Sequence, residues 1–167
     1  MKFFLLLFPI ILPTIIISIF PIQTVFPHMK SAGRGIIHNV SSGVGITGFP
    51  GIFGYSSTKG AIEALTRSLN LEFKKENIIL NVMHPPLTNT ESSRPLGIPV
   101  QMMQDPKVVG EKLANNIGST KNIITPDFRT KLEMFFTFKF PFVLGNLLSS
   151  LKEKQNKKQG GNIFTGM

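Results

Sequence analysis

Cysteine is absent from the 167 residues, which excludes a disulfide framework, a thiolate nucleophile, an iron–sulfur cluster and any cysteine zinc site. Histidine is scarce: His28, His38 and His84 are scattered, so no histidine-rich metal site is expected. Acidic residues are few, 9 against 18 Lys+Arg, leaving a net charge of +9. That charge does not point to nucleic acid. As far as Asn70 the basic residues are only Lys2, Lys30, Arg34, Lys59 and Arg67, and no aromatic residues interleave with the terminal Lys152, Lys154, Lys157 and Lys158. An anionic lipid or a phosphorylated ligand suits it better, and residues 151–167 read as a disordered polar tail. At 42% hydrophobic and 16% charged, the chain is too apolar for intrinsic disorder and long enough for one domain with a core.

Phe3 to Phe20, FFLLLFPIILPTIIISIF, carries no charge and just reaches the length of a membrane-spanning helix, although Pro9 and Pro13 weaken it as a straight one. A secretory signal fits less well, because Ala32 is the first alanine and no Ala-x-Ala-like site follows the run. Two readings of residues 1–22 stay open. In one, residues 3–20 associate with a membrane and Lys30 and Arg34 keep the body in the cytoplasm. In the other, the run is a non-native start on a cytoplasmic protein.

From Gly33 the texture is that of an α/β protein. GRGIIHNVSS reads as a buried parallel strand ending at Ser41 and Ser42. Tyr55 to Asn77 has helical spacing, with Ala61, Leu65, Leu69 and Phe73 on one stripe. IILNVM, residues 78–83, is a second strand, and the four prolines of HPPLTNTESSRPLGIP make a loop. Strand, helix, strand predicts a crossover in a parallel sheet. Asp105 to Ile117 begins as a capped helix with proline in its first turn, and residues 122–124 form a last short strand.

The chemistry lies in the first crossover. Tyr55, the single tyrosine, and Lys59 stand four residues apart on one helix face. A phenol has an unperturbed pKa of about 10, so its use in proton transfer near neutral pH needs a stabilised phenolate, which a nearby cation provides. Ser42, at the carboxyl end of the preceding strand, is placed to bind the same substrate oxygen, and that end of a parallel sheet is where ligands sit.

Asn39-Val40-Ser41-Ser42-Gly43 at a strand end, Tyr55 and Lys59 opening the next helix, and Asn81 and Pro85 around the following strand resemble the short-chain dehydrogenase/reductase family. The resemblance runs from about Gln23 to Ile124 and implies Ser42, Tyr55 and Lys59 as the catalytic residues of an NAD(P)-dependent oxidoreductase. In that family the serine orients the carbonyl or hydroxyl, the tyrosine is the acid/base, and the lysine binds the nicotinamide ribose and lowers the tyrosine pKa. Pro85, Thr88 and Thr90 correspond to positions that contact the nicotinamide with Tyr55 and Lys59, although Pro86 replaces the usual glycine. The formal glycosylation acceptor Asn39-Val40-Ser41 then falls inside the site and reads as chance.

Family members begin with a strand and a glycine-rich turn that cradles the cofactor pyrophosphate, and no such element occurs here. The residue that would choose between NAD and NADP is missing with it. The expected fold is a partial Rossmann-like doubly wound parallel sheet lacking its dinucleotide-binding half, with residues 23–126 as the remaining half of the domain. A truncated enzyme acting on an alcohol or ketone is the leading reading, and a non-catalytic membrane-associated remnant is the alternative. Residues 127–150 form a helical, Phe-rich segment read as core or a homo-oligomer interface ahead of a lipid-binding surface. Together with the N-terminal run, it suits a lipophilic substrate.

Overall fold

The computed structural model describes residues 2–91, 93, 98 and 100–158, with side chains from residue 16 to residue 154. Helix α1 (Lys2–Ser31) leads into strand β1 (Gly35–Val40). Between them Gly33 takes φ 67°, a left-handed conformation that a side chain would strain, and Arg34 N–H donates back to Met29 O at 3.2 Å. This glycine stop ends the helix and sets the direction of the strand. His28 lies in the last turn of α1. The helix passes without a break through the boundary expected at residue 22.

Ile22, Phe26 and Met29 recur on one face of α1 and meet Ile78 and Leu80 of strand β2 (Ile78–Met83). Leu65, Leu69 and Phe73 of helix α3 (Phe53–Phe73) close the same cluster, with the Phe26 and Phe73 rings stacked 4.0 Å apart. The apolar stripe read from the sequence is therefore the packing face of α3. Burying a side chain such as Ile22 there contributes about 2 kcal/mol. The helix is shorter than expected: a 3₁₀ turn, Lys74–Glu76, follows Phe73, and Asn77 takes a left-handed φ of 56°.

The sheet is parallel, in the order β1-β2-β3, with β3 at Ile123–Ile124. In register, Gly35 to Val40 stand opposite Ile78 to Met83, and Val82 and Met83 stand opposite Ile123 and Ile124. Central β2 is buried, Leu80 at 1% exposure and Asn81 at 0%. The first strand corrects the sequence reading, because β1 is only half-buried and Val40 is 47% exposed. Among the described residues β1 has a partner along one edge only, the exposed apolar edge expected of a sheet without its dinucleotide-binding half.

Helix α4 (Pro106–Ala114) is capped by Asp105, whose carboxylate accepts from Lys107 N–H at 2.9 Å and Val108 N–H at 3.1 Å. It ends three residues before Ile117, where the sequence placed its end. Helix α5 (Phe128–Lys139) starts on Asp127, which accepts from the Thr130 N–H and hydroxyl and from Lys112 Nζ at 2.9 Å. Those bonds, led by the Thr130 N–H, lower the Asp127 pKa to about 2. Helix α6 (Pro141–Lys158) follows at a bend of 110°.

Two expectations about the C-terminal region change. Residues 151–158, read as disordered tail, continue α6, consistent with the high helix propensity of Lys, Glu and Gln. Residues 159–167 lie outside the described residues. The Phe-rich segment is not a core: Phe128 is 77% exposed and Phe142 85%. Hydrophobicity alone does not supply a partner, and here the helices turn these rings outward. Among the described residues no single helix is long and apolar enough to cross a membrane; α5 and α6 pass that test only as a bent pair. The side chains of the expected span, Phe3 to Phe20, are described only from Ile16 onward.

Candidate active site

Tyr55 sits in the first turn of α3 and is 48% exposed, while Lys59, one turn later, points back toward the end of β1. The Lys59 ammonium donates to Val40 O at 2.9 Å and lies 5.6 Å from the centre of the Tyr55 ring. Burial lowers the Lys59 pKa, since an ammonium loses hydration there. The predicted pair is thus brought together, with its cation fixed by a strand carbonyl. Ser41 Oγ adds a second tie between strand and helix by donating to Lys59 O at 3.1 Å.

Ser42 follows immediately and begins the loop into helix α2 (Val44–Thr47), with its carbonyl accepting from Gly45 N–H at 2.9 Å. Close approach of α2 to α3 depends on glycine. A Cβ at Gly45 would lie 2.7 Å from the Lys59 carbonyl carbon and 2.8 Å from Gly60 N. Backbone cannot yield as a flexible side chain does, so Gly45→Ala is expected to cost about 1–3 kcal/mol and to loosen Lys59 from Val40. Thermal denaturation checks it; an unchanged midpoint would show that the two helices separate freely.

The C-terminal helices hold the other side of this loop. Gly43 faces Met134 and Thr137 of α5, Gly145 of α6 packs on Thr47 O, and Lys152 Nζ donates to Pro50 O at 2.6 Å while lying over the Phe49 ring. The loop that carries Ser42 is therefore clamped between α3 and the α5–α6 pair.

Pro85, Thr88 and Thr90 lie in the loop after β2. The Thr88 hydroxyl donates to Pro86 O at 2.7 Å, and that of Thr90 donates to Ser93 Oγ at 3.4 Å. Both hydroxyls make turn contacts within the loop. Asn39, the formal glycosylation acceptor, is in β1 with its amide donating to Thr66 Oγ1 at 2.9 Å. His38 is a strand residue, as expected, with its ring between Asn81 Oδ1 and Ile117 O.

Beneath the site lie Glu63, which no sequence motif singles out, and His84, whose place in the sequence reads as a strand end rather than a base. Glu63, one turn beyond Lys59, is 3% exposed, and His84, just past β2, is fully buried. Their Oε1 and Nε2 stand 3.1 Å apart. Burial pushes the Glu63 carboxyl up, but His84, Ser41 and Arg67 together outweigh it and leave the pKa lowered. The only signal in the sequence was a carboxylate one helical turn from Lys59, which reads as a solvated face. Among the described residues no group of His, Asp and Glu is placed to hold a metal.

The parallel sheet brings a phenol and an ammonium together at its strand ends, where ligands sit in open α/β sheets. The family model for short chain dehydrogenases matches residues 16–99, and the chain belongs to that family. It is 44% identical over 69 residues to the 3-alpha-(or 20-beta)-hydroxysteroid dehydrogenase of Mycobacterium tuberculosis, a stretch covering 41% of this chain and 26% of that one. The rat (Rattus norvegicus) 17-beta-hydroxysteroid dehydrogenase type 3 is 36% identical over 72 residues, covering 43% and 24%. The chain thus spans about a quarter of the length of these curated relatives. Among solved structures, a short chain dehydrogenase from Burkholderia cenocepacia in complex with NADP superposes with a TM-score of 0.63 at 17% identity, over 76% of this chain and 52% of that one. This likeness confirms the expected Rossmann-like α/β fold.

Proposed function

We propose that these residues are the catalytic half of an NAD(P)-dependent oxidoreductase that interconverts a carbonyl and an alcohol. The observation that carries the reading is the Lys59 ammonium, held by Val40 O and 5.6 Å from the ring of the half-exposed Tyr55. The residues present suit the nicotinamide end of the cofactor, because an exposed phenol and a part-buried ammonium, without a carboxylate partner among the described residues, stand at the strand ends. A bound nicotinamide would supply or accept the hydride. Tyr55 Oη gives a proton to the substrate oxygen on reduction and takes it back on oxidation. Lys59 favours the phenolate through its charge, and Ser42 orients the same oxygen by hydrogen bonding. Pro85, Thr88 and Thr90 would contact the nicotinamide, for which the two threonines would have to exchange their turn contacts.

The names of the relatives support an apolar alcohol or ketone as substrate. The choice between NAD and NADP is left to a dinucleotide-binding half, which the described residues do not contain. Joined to such a half, the chain is expected to oxidise NADH or NADPH in proportion to added ketone, as read from the loss of nicotinamide fluorescence. Nucleotide binding without turnover of any ketone or ketosteroid would overturn the reading.

A further inference from the structure

A cleft of about 470 Å³ is lined by the turn after α4, by β3 and by α5, and none of its lining residues belongs to the Tyr55–Lys59 site. Its volume falls within the range of about 300–1,000 Å³ typical of small-molecule pockets. The floor is apolar and buried, with Ile124 at 2% exposure and Met134 at 6%. Its walls are apolar and open: Ile123 is 45% exposed and Phe135 61%. Exposed hydrophobic surface around a concave floor marks a place where something binds.

Charge identifies what kind of molecule. Lys121, Lys131 and Lys139 line the cleft, and no carboxylate does. Among the described residues none of the three is in an ion pair, whereas neighbouring cations are neutralised, Arg129 by Glu133 at 3.0 Å and Lys112 by Asp127 at 2.9 Å. Lys131, Phe135, Phe138 and Lys139 recur at helical spacing on one face of α5, so apolar surface and cationic ends form one stripe. The same face of a second copy would bring lysines against lysines with no carboxylate between them, and so does not complement the cleft. A free inorganic anion would leave the apolar walls uncovered.

We infer that this cleft binds a single-chain anionic amphiphile, its alkyl chain along Ile123, Met134 and Phe135 and its acidic head on the lysines. The test uses the whole chain and cis-parinaric acid, a fluorescent long-chain fatty acid, below the concentration at which it forms micelles. Saturable binding is expected, with displacement by palmitate but not by palmityl alcohol or inorganic phosphate. Lys131→Glu with Lys139→Glu is expected to weaken binding about tenfold or more at unchanged circular dichroism, while Lys107→Glu on α4 leaves it as it was. Lys121→Glu, on a separate segment, gives the same direction if the helix variant misfolds. Equal displacement by the alcohol, wild-type affinity in the lysine variants, or a response only to phosphatidylserine vesicles would each overturn the proposal. No nucleotide or ketone enters the assay, so its outcome is separate from that of the oxidoreductase reading.

Discussion

Replacing Tyr55 with phenylalanine is expected to lower ketone turnover by about a thousandfold while leaving nucleotide affinity and the melting midpoint nearly unchanged. The size follows from what the substitution removes. Phenylalanine keeps the ring over which Lys59 lies and deletes only the hydroxyl, and the ring is half-exposed, so little packing is lost. Positioned proton transfer contributes about two to four powers of ten to a rate, and the single tyrosine leaves no nearby phenol to take over. The loss should appear in kcat, because the proton moves in the transition state rather than on binding. Lys59→Met separates the two roles assigned to the ammonium: it should weaken nucleotide binding as well as turnover. Wild-type turnover in Tyr55→Phe would remove the tyrosine from the chemistry altogether.

What was legible in the sequence is what local chemistry dictates. The stripe Leu65, Leu69 and Phe73 follows from the helical period, the start of α4 from Asp105 and Pro106, and the meeting of Tyr55 with Lys59 from a four-residue offset on a helix. Parallel pairing of β1 with β2 follows from a helix long enough to cross between them. Features that depend on a distant partner were not legible. The outward phenylalanines of α5 and α6 reflect the lack of a covering surface among the described residues. Gly45 reads as loop chemistry until Lys59 and Gly60 are seen against it. Glu63 and His84 lie on different elements, and each alone resembles an ordinary polar residue.

Removal of the Glu63 carboxylate is expected to be the most damaging single change to stability, about 3 kcal/mol for Glu63→Ala. The side chain is 4% exposed and faces the fully buried His84 ring at 3.1 Å, the exposed Arg67 at 3.4 Å and the hydroxyl of Ser41. Truncation leaves a cavity beside a fully buried imidazole that has lost the carboxylate next to it. Ser41 also anchors the Lys59 carbonyl, so the loss should spread to the strand end that holds the Lys59 ammonium. The sign of the pH dependence follows from the lowered Glu63 pKa. A carboxylate whose folded pKa lies below its unfolded value adds stability above the unfolded pKa, and that stability is lost as pH falls through the folded pKa. Wild type should therefore weaken on acidification by more than Glu63→Gln, which keeps the shape of the side chain but not its charge. Urea midpoints of the three proteins, measured from neutral pH downward, decide the matter. A Glu63→Ala midpoint equal to wild type at neutral pH would mean that His84 is satisfied without the carboxylate, and the buried pair would then be a consequence of packing rather than a support for the site above it.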